Sequence, residues 1–378
     1  MKITCTQENL NKALGIVGKV VNKNTTLPIL NNVLLKTDKN GLRLSSTNLE
    51  LGVNYWIGGK IEEEGEITIP TKLFANFVAS LPDGNVEIKT REDMVNIKCN
   101  SYKINIKGID AKEYPLSPKI ENEFLFKVRS EDFKEAVVQV LPSVSLSESR
   151  MEITGILLDF SEIEKGKIVL VATDSYRLAQ KTMQLSRENI NKESLNMLGN
   201  IRSVIIPKNA MQELSRDLSE ESEMLEVVIA ENQIVFSFGK AVIISRLIEG
   251  NYPQYKQVIP EKFMSQAVID IKDISSAVKI SGFFSSASNN SVKFKIGSDG
   301  KIEISSEANE LGNNNSRITA KTSGKDLEVV YNYKYLMDGL NSVLGNEAVL
   351  DINDENAPSV LKTSSDETFV YVIMPIRN

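Results

Sequence analysis

The sequence predicts an α+β fold made of three repeats of one unit, and three observations carry that expectation. One order of elements recurs, starting near residues 1, 124 and 267. Each copy holds two segments whose apolar residues return at helical spacing. Its closing runs alternate apolar with polar residues, the period of antiparallel strands with one covered face. A length of 378 residues suits two or three domains.

Each copy opens with a strand and an amphipathic helix. The helical segments are Glu8–Val17, Glu131–Val140 and Lys272–Ser281, with matched apolar positions at Leu10, Phe133 and Ile274 and again at Leu14, Val137 and Val278. Residues four apart share a helix face, so each pair marks the buried side. Strands that end in a polar corner follow: Leu42–Glu50, Ile168–Tyr176 and Lys301–Asn309. A second strand–helix step comes next, at Ile67–Leu81, Val204–Leu218 and Val329–Leu344. Two alternating runs close a copy, as in Val86–Ile106 and Ile234–Ile248. The proline-bearing polar stretches Lys112–Glu123 and Gly250–Lys262 read as linkers. Cuts after Asn122 and Lys256 give domains 1–122, 123–256 and 257–378. Three coincidentally similar α+β stretches are the alternative to a true repeat.

Composition removes much of enzymology. The chain has no histidine, which excludes Ser-His-Asp relays, His-ligated zinc and imidazole general bases. Its two cysteines, Cys5 and Cys99, are too few for a disulfide framework and lack CxxC spacing. No run is long and apolar enough to span a bilayer, and the N-terminus lacks the apolar stretch of a signal peptide. A soluble cytoplasmic protein is expected, with no metal and no cofactor.

Three motifs fail on inspection. Gly15–Lys19 lacks the spacing and the following Ser/Thr of a phosphate loop. Asp351–Asn356 begins like a calcium loop, but Asn356 stands where glycine must turn the chain and Lys362 where the bidentate glutamate belongs. Ser276 and Lys279, with Lys321-Thr322-Ser323, have the outline of a serine acyl-enzyme without its SDN element.

The charge balance of 44 basic against 50 acidic residues gives a net charge of -6, the wrong sign for a protein coated in DNA. The first repeat carries 16 basic against 14 acidic residues, the second 16 against 20 and the third 12 against 16. Any nucleic-acid surface must therefore be local, and the helix faces are where it would lie. Lys12, Lys19 and Lys23 fall about 140 to 180° round from Leu14 at about 100° per residue. Lys272 and Lys279 stand comparably far from Ile274, and the second helices add Lys72, Lys208, Arg216 and Lys334. The first helix of the second repeat breaks the trend with Glu131 and Glu135. Lysine on a solvated helix face needs no ligand, so these faces alone leave a DNA role open.

The segments Thr173–Ala179, Asn251–Pro260 and Tyr371–Asn378 hold aliphatics, prolines and arginines without catalytic partners, a composition suited to a groove for an extended peptide. Together with Thr26–Leu35 and Ile153–Phe160 they closely resemble, in matching order over essentially the whole chain, the bacterial sliding-clamp family, the DNA polymerase III beta subunits.

That resemblance implies a head-to-tail homodimer of three clamp-type domains per protomer. Six similar units would close into a ring, with strands outside and twelve helices lining a hole for duplex DNA. It implies a non-catalytic processivity factor, held by enclosure, whose DNA contacts are non-specific and salt-sensitive. The pocket for short linear motifs of the polymerase, the clamp loader and other polymerases and repair proteins would use Ile153, Thr173, Tyr176, Arg177, Leu178, Pro253, Val258, Ser359, Val372, Ile373, Met374, Pro375, Ile376 and Arg377. The family often has glycine and histidine where this chain has Ser175 and Tyr176. Asn24, beside Lys23, replaces the family's basic residue before the TLPIL motif, and Arg150 matches a basic position before the ITG strand. Both are assigned to the DNA face. The dimer would pair an edge strand around Tyr102–Ile106 with one of the third domain, Ile104 and Ile106 meeting Phe283 and Phe284. A monomeric peptide-binding scaffold without a DNA role is the competing reading.

Overall fold

The computed structural model describes residues 1–21, 27–39, 41–115, 123–218, 224–230, 232–285, 290–308 and 312–377. Among them are the helices α1 (Gln7–Val17), α2 (Thr71–Ala79), α3 (Ser130–Val140), α4 (Lys192–Met197), α5 (Lys208–Asp217), α6 (Ile271–Ser285) and α7 (Tyr333–Ser342). Local chemistry sets their starts. Thr6 caps α1 by accepting from the Asn9 amide, and Asn332 caps α7 by accepting from the amides of Lys334 and Tyr335. In α1, Leu10, Ala13, Leu14 and Val17 are buried. Helix α6 outruns its expected end because Gly282 leaves room for the Tyr333 ring of α7, where a Cβ would come within 2.8 Å.

Four antiparallel sheets hold the strands of the described residues. The first runs Lys60–Glu63, Lys2–Thr6, Asn85–Arg91, Met94–Cys99, Tyr102–Lys107. The expected pair of runs over Val86–Ile106 is thus three strands, because tight turns at residues 92–93 and 100–101 fold it twice. The second sheet runs Phe126–Arg129, Met224–Ile229, Gln233–Phe238, Ala241–Arg246, Leu51–Ile57, Gly41–Thr47, Asn32–Asp38, Glu66–Pro70. The third runs Ser203–Pro207, Gly155–Asp159, Lys167–Thr173, Arg177–Gln184, Asp366–Ile373, Ser359–Thr363, Glu347–Ile352, Ser265–Asp270, Lys321–Gly324. The fourth runs Gly312–Thr319, Lys301–Ala308, Ser291–Ile296, Leu327–Asn332.

Two of these sheets cross from one repeat into the next. Ala241 pairs with Tyr55 and Ile243 with Val53, joining the first and second repeats. Arg177 pairs with Ile373 and Lys181 with Phe369, joining the second and third. The described chain accordingly separates into two compact units rather than three. One comprises Met1–Phe133, Glu188–Asn200 and Gln212–Leu247; the other comprises Lys134–Arg187, Ile201–Met211 and Ile248–Asn378. The first holds the five- and eight-stranded sheets, the second the nine- and four-stranded sheets.

The stretches expected to be solvated linkers are partly core. Tyr114 is buried with Ile29, Leu34 and Ala111, and its hydroxyl accepts from the Thr47 amide at 3.1 Å. Tyr255 is buried against Leu157, Val171 and Leu178, donates to Asp159 at 3.1 Å, and has Tyr252 packed beside it. A buried tyrosine satisfies its hydroxyl and so anchors the connection that carries it.

Candidate functional site

The corner Thr173–Arg177 is built by its own side chains. The Asp174 carboxylate accepts from the amides of Tyr176 and Arg177, each at 3.0 Å, and the Thr173 hydroxyl accepts from the Ser175 amide at 3.2 Å. Such Asx and ST turns replace the missing ladder bonds of a strand end. The turn drives Ser175 to φ 77°, the left-handed region that glycine occupies freely. Its hydroxyl accepts from Arg150 at 3.2 Å, and Arg150 also pairs with Glu152 at 2.9 Å. Arg150, expected on a DNA face, therefore stands at the rim of this corner, because the turn at Met151–Ile153 aims it there.

Arg177 is the hub. Its Nε donates to Asp174 at 2.9 Å, Nη1 to Asp338 at 2.5 Å and Nη2 to the Pro142 carbonyl at 2.7 Å. Its guanidinium lies 4.3 Å from the centre of the Tyr335 ring. The side chain is 9% exposed. Burial alone would lower its pKa, but Tyr371, Asp338 and Asp174 outweigh that and hold it above the ordinary value. Arg177, expected in the peptide pocket, commits three of its five N–H donors inside the protein and so also fixes the walls. Lys208, expected to face DNA, feels this cluster: burial first and then the charge of Arg177 lower its pKa, with Asp338 opposing them. Lys208 is half-buried at the start of α5.

Tyr335 is the residue that sequence reasoning passed over. Its ring stacks on Tyr176 at 6.2 Å between centroids, 25° from parallel. The spacing of Tyr331, Tyr333 and Tyr335, from the end of a strand into the first turn of α7, was the available signal. Tyr371 donates to the Tyr335 carbonyl at 2.7 Å, and Gly339 admits the Tyr371 ring where a Cβ would come within 2.6 Å.

The terminal segment completes the corner. Met374 donates its amide to the Tyr176 carbonyl at 2.9 Å, and Ile376 donates to the Val330 carbonyl at 2.8 Å. Ile153, Thr173, Leu178, Ser359, Val372, Ile373 and Pro375 are buried. They form floor and frame rather than rim; the Ser359 hydroxyl accepts from Tyr331 at 2.6 Å. Pro253, Met374 and Ile376 are half-buried, Val258 and Arg377 exposed, and Tyr176 is 62% exposed. Such a half-open apolar surface over a rigid base can take an aliphatic or aromatic anchor, and the thioether of Met374 adapts its shape.

On the helices, Lys12, Lys72, Arg216, Lys272, Lys279 and Lys334 are exposed. Arg216 pairs with Glu213 at 2.8 Å. Lys19 is already spoken for: its ammonium meets Asp217 at 2.5 Å. The Asp217 side chain is 2% exposed, and burial raises its pKa although Lys19 pulls the other way. Lys23 and Asn24 lie outside the described residues.

Of the expected interface residues, Phe283 is 67% exposed and Phe284 and Ile104 half-buried, whereas Ile106 is 2% exposed. Ile106 faces its own core beside Val95, so its side chain has no area left to offer a partner. The strand Tyr102–Lys107 that carries it is nonetheless an open sheet edge among the described residues, as is Gly312–Thr319. No helix among the described residues is long and apolar enough to cross a membrane.

Comparison with known proteins accounts for the three repeats. Family models of the DNA polymerase III beta subunit match its N-terminal domain to residues 1–118, its central domain to 127–254 and its C-terminal domain to 256–377. The beta sliding clamp of Synechocystis sp. is 29% identical over 391 residues, covering 100% of this chain and 99% of the relative. That of Bacillus subtilis is 29% identical over 388 residues, covering 100% of both. The crystal structure of the DNA polymerase sliding clamp from Bacillus subtilis superposes with a TM-score of 0.93 at 28% identity, covering 100% of this chain and 99% of that one. Matched by all three domain models from residue 1 to 377, the chain belongs to the DNA polymerase III beta-subunit family.

Proposed function

We infer that this protein is a DNA sliding clamp: it encircles duplex DNA as a dimeric ring and tethers the replicative polymerase, the clamp loader and other DNA-processing proteins. It is a processivity factor without catalytic activity of its own. Retention by enclosure needs no base reading and only weak phosphate contacts, which suits a chain of net charge -6 with its lysines on helix faces. The working domains are 1–122, 123–256 and 257–378, and the cytoplasm is the compartment where such a clamp acts.

The observation that carries the ring is the pattern of sheet joints. Within the chain the last strand of one half-sheet pairs with the last strand of a half-sheet in the next repeat, Leu51–Ile57 with Ala241–Arg246 and Arg177–Gln184 with Asp366–Ile373. By the same rule the half-sheets ending at Gly312–Thr319 and at Tyr102–Lys107 each lack a mate among the described residues. A second copy, placed head to tail, supplies both. Unpaired backbone edges of this kind favour such pairing. Phe283, Phe284 and Ile104 would close over the joint.

The peptide pocket is the corner around Tyr176, Tyr335 and Met374 on the floor of Leu178 and Val372, with Arg177 as its brace. The DNA face is carried by Lys12, Lys72, Lys272, Lys279 and Lys334. Loading onto closed circular and onto linear DNA tests the reading: the clamp should stay on the circle and run off the free ends. Equal retention on both, or a monomer in sedimentation, overturns it.

A further inference from the structure

The first five-stranded sheet turns one face to its core and the other to solvent. Val86, Ile88, Val95, Ile97 and Cys99 are buried on the inner face. The outer face is assembled by register. Glu87 stands opposite Lys98 and Lys98 opposite Lys103; Lys89 opposes Asn96 and Asn96 opposes Asn105; Arg91 opposes Met94 and Met94 opposes Lys107.

Three features of this face are unusual. The strands Asn85–Arg91, Met94–Cys99 and Tyr102–Lys107 put five basic side chains and one acid, Glu87, on this face, beside the Lys2–Glu62 ion pair at 2.6 Å from the neighbouring strands, in a chain of net charge -6. Lys107 has Asp93 at 3.5 Å, but no carboxylate lies within ion-pair distance of Lys98 or Lys103 among the described residues. Those two like charges sit directly across a strand pair, an arrangement that weakens the sheet unless an anion bridges them. Between the basic residues lies an amide pair, the Asn96 Nδ2 donating to the Asn105 Oδ1 at 2.5 Å.

We propose that this face docks an acidic protein segment, its carboxylates on Lys98/Lys103 and Arg91/Lys107 and its backbone on the Asn96–Asn105 amides. The charge complementarity selects an anion, and the layout selects which anion. The basic residues border a neutral centre instead of forming a track, whereas a nucleic-acid backbone is a linear run of phosphates. The face has no aromatic side chain to stack a base and one arginine for bidentate phosphate contact. Pairing of the Tyr102–Lys107 edge with a second copy would use in-plane backbone groups and leave the outward side chains accessible. The proposal therefore goes beyond the clamp reading and does not depend on it.

The test titrates the full-length protein with a short fluorescent glutamate-rich peptide and with its glutamine counterpart, at low and high salt. The glutamate peptide should bind saturably, weaken with salt and lose about tenfold in affinity to the K98E/K103E double variant. The glutamine peptide should not bind. The reversal keeps the 98/103 pair like-charged but turns the Glu87/Lys98 pair repulsive, so a K98Q/K103Q variant, which adds no charge beside Glu87, is measured alongside it and should also bind more weakly, and an unchanged melting temperature verifies the fold. An equal affinity of wild type and variant overturns the proposal. So does tighter binding of single-stranded or duplex DNA that the same variant abolishes, which would assign the face to nucleic acid. Self-association lost in the variant would assign it to a second copy.

Discussion

Arg177 and Asp338 lie 161 residues apart in sequence and meet at 2.5 Å, tying the strand that starts the second repeat's peptide corner to the last helix of the third. The same guanidinium covers Tyr335, so one buried cation sets the position of both aromatic walls. An arginine with three separate acceptors and a ring beneath it has a planar fork that lysine cannot copy.

Replacing Arg177 should therefore act on stability before it acts on binding. Arg177→Ala removes the side-chain donor to the Asp174 Oδ2 and to the Pro142 carbonyl and is expected to lower stability by about 2–4 kcal/mol. Arg177→Lys should recover less than half of that loss. Urea denaturation of the three proteins measures both values.

Ser175 holds a left-handed backbone at φ 77°. Ser175→Gly removes that strain and is expected to add about 0.5–1 kcal/mol, less whatever the Arg150 hydrogen bond contributed. A rise in the urea midpoint at unchanged slope is the expected signature.

Lys19 and Asp217 make a pH-dependent pair. Burial holds the Asp217 carboxyl above its ordinary pKa, so the fold binds this proton more tightly than the unfolded chain does. Its contribution is present below the unfolded value near 3.8 and is lost as pH rises through the raised folded value. Asp217→Asn removes this titration, so wild type should lose stability relative to the variant as pH climbs through that window. Lys19→Ala strands the buried carboxylate and should destabilise by about 1–2 kcal/mol near neutral pH, the half-open lysine keeping the figure modest. Parallel denaturation series across pH read both effects.

Phe283 and Ile106 should separate assembly from folding. Phe283→Ala removes an exposed ring and is expected to weaken the dimer at least about tenfold in sedimentation while the protomer melts as before. Ile106→Ala opens a cavity in the first domain and should lower stability by about 2–4 kcal/mol.

Met374→Ala is expected to weaken polymerase-derived peptides about tenfold by calorimetry with the dimer intact, since its half-buried side chain caps the corner and its backbone bond to Tyr176 survives the change.

Local periodicity made the helices legible. Leu10 and Leu14, or Ile274 and Val278, lie one helical turn apart, and that spacing alone turns the nearby lysines outward. Ser175 and Tyr176 could be read as departures from a family pattern because a short motif carries its own turn chemistry. The absence of histidine likewise excluded whole reaction classes without any coordinates. Other features required the folded chain. Lys19 and Asp217 are 198 residues apart, and nothing in the helix face of Lys19 announces a buried carboxylate. Ile104 and Ile106 share one strand face, yet only packing leaves the first half-open and closes the second. The basic outer face is invisible along the chain, where Lys98 and Lys103 are separated by a turn; strand register brings them opposite one another. Periodicity and turn propensity are properties of neighbouring residues, so the helices and their buried sides could be read along the chain. Burial, charge pairing and the joining of repeats into shared sheets depend on which distant groups lose water together, and they emerge only when the chain has folded.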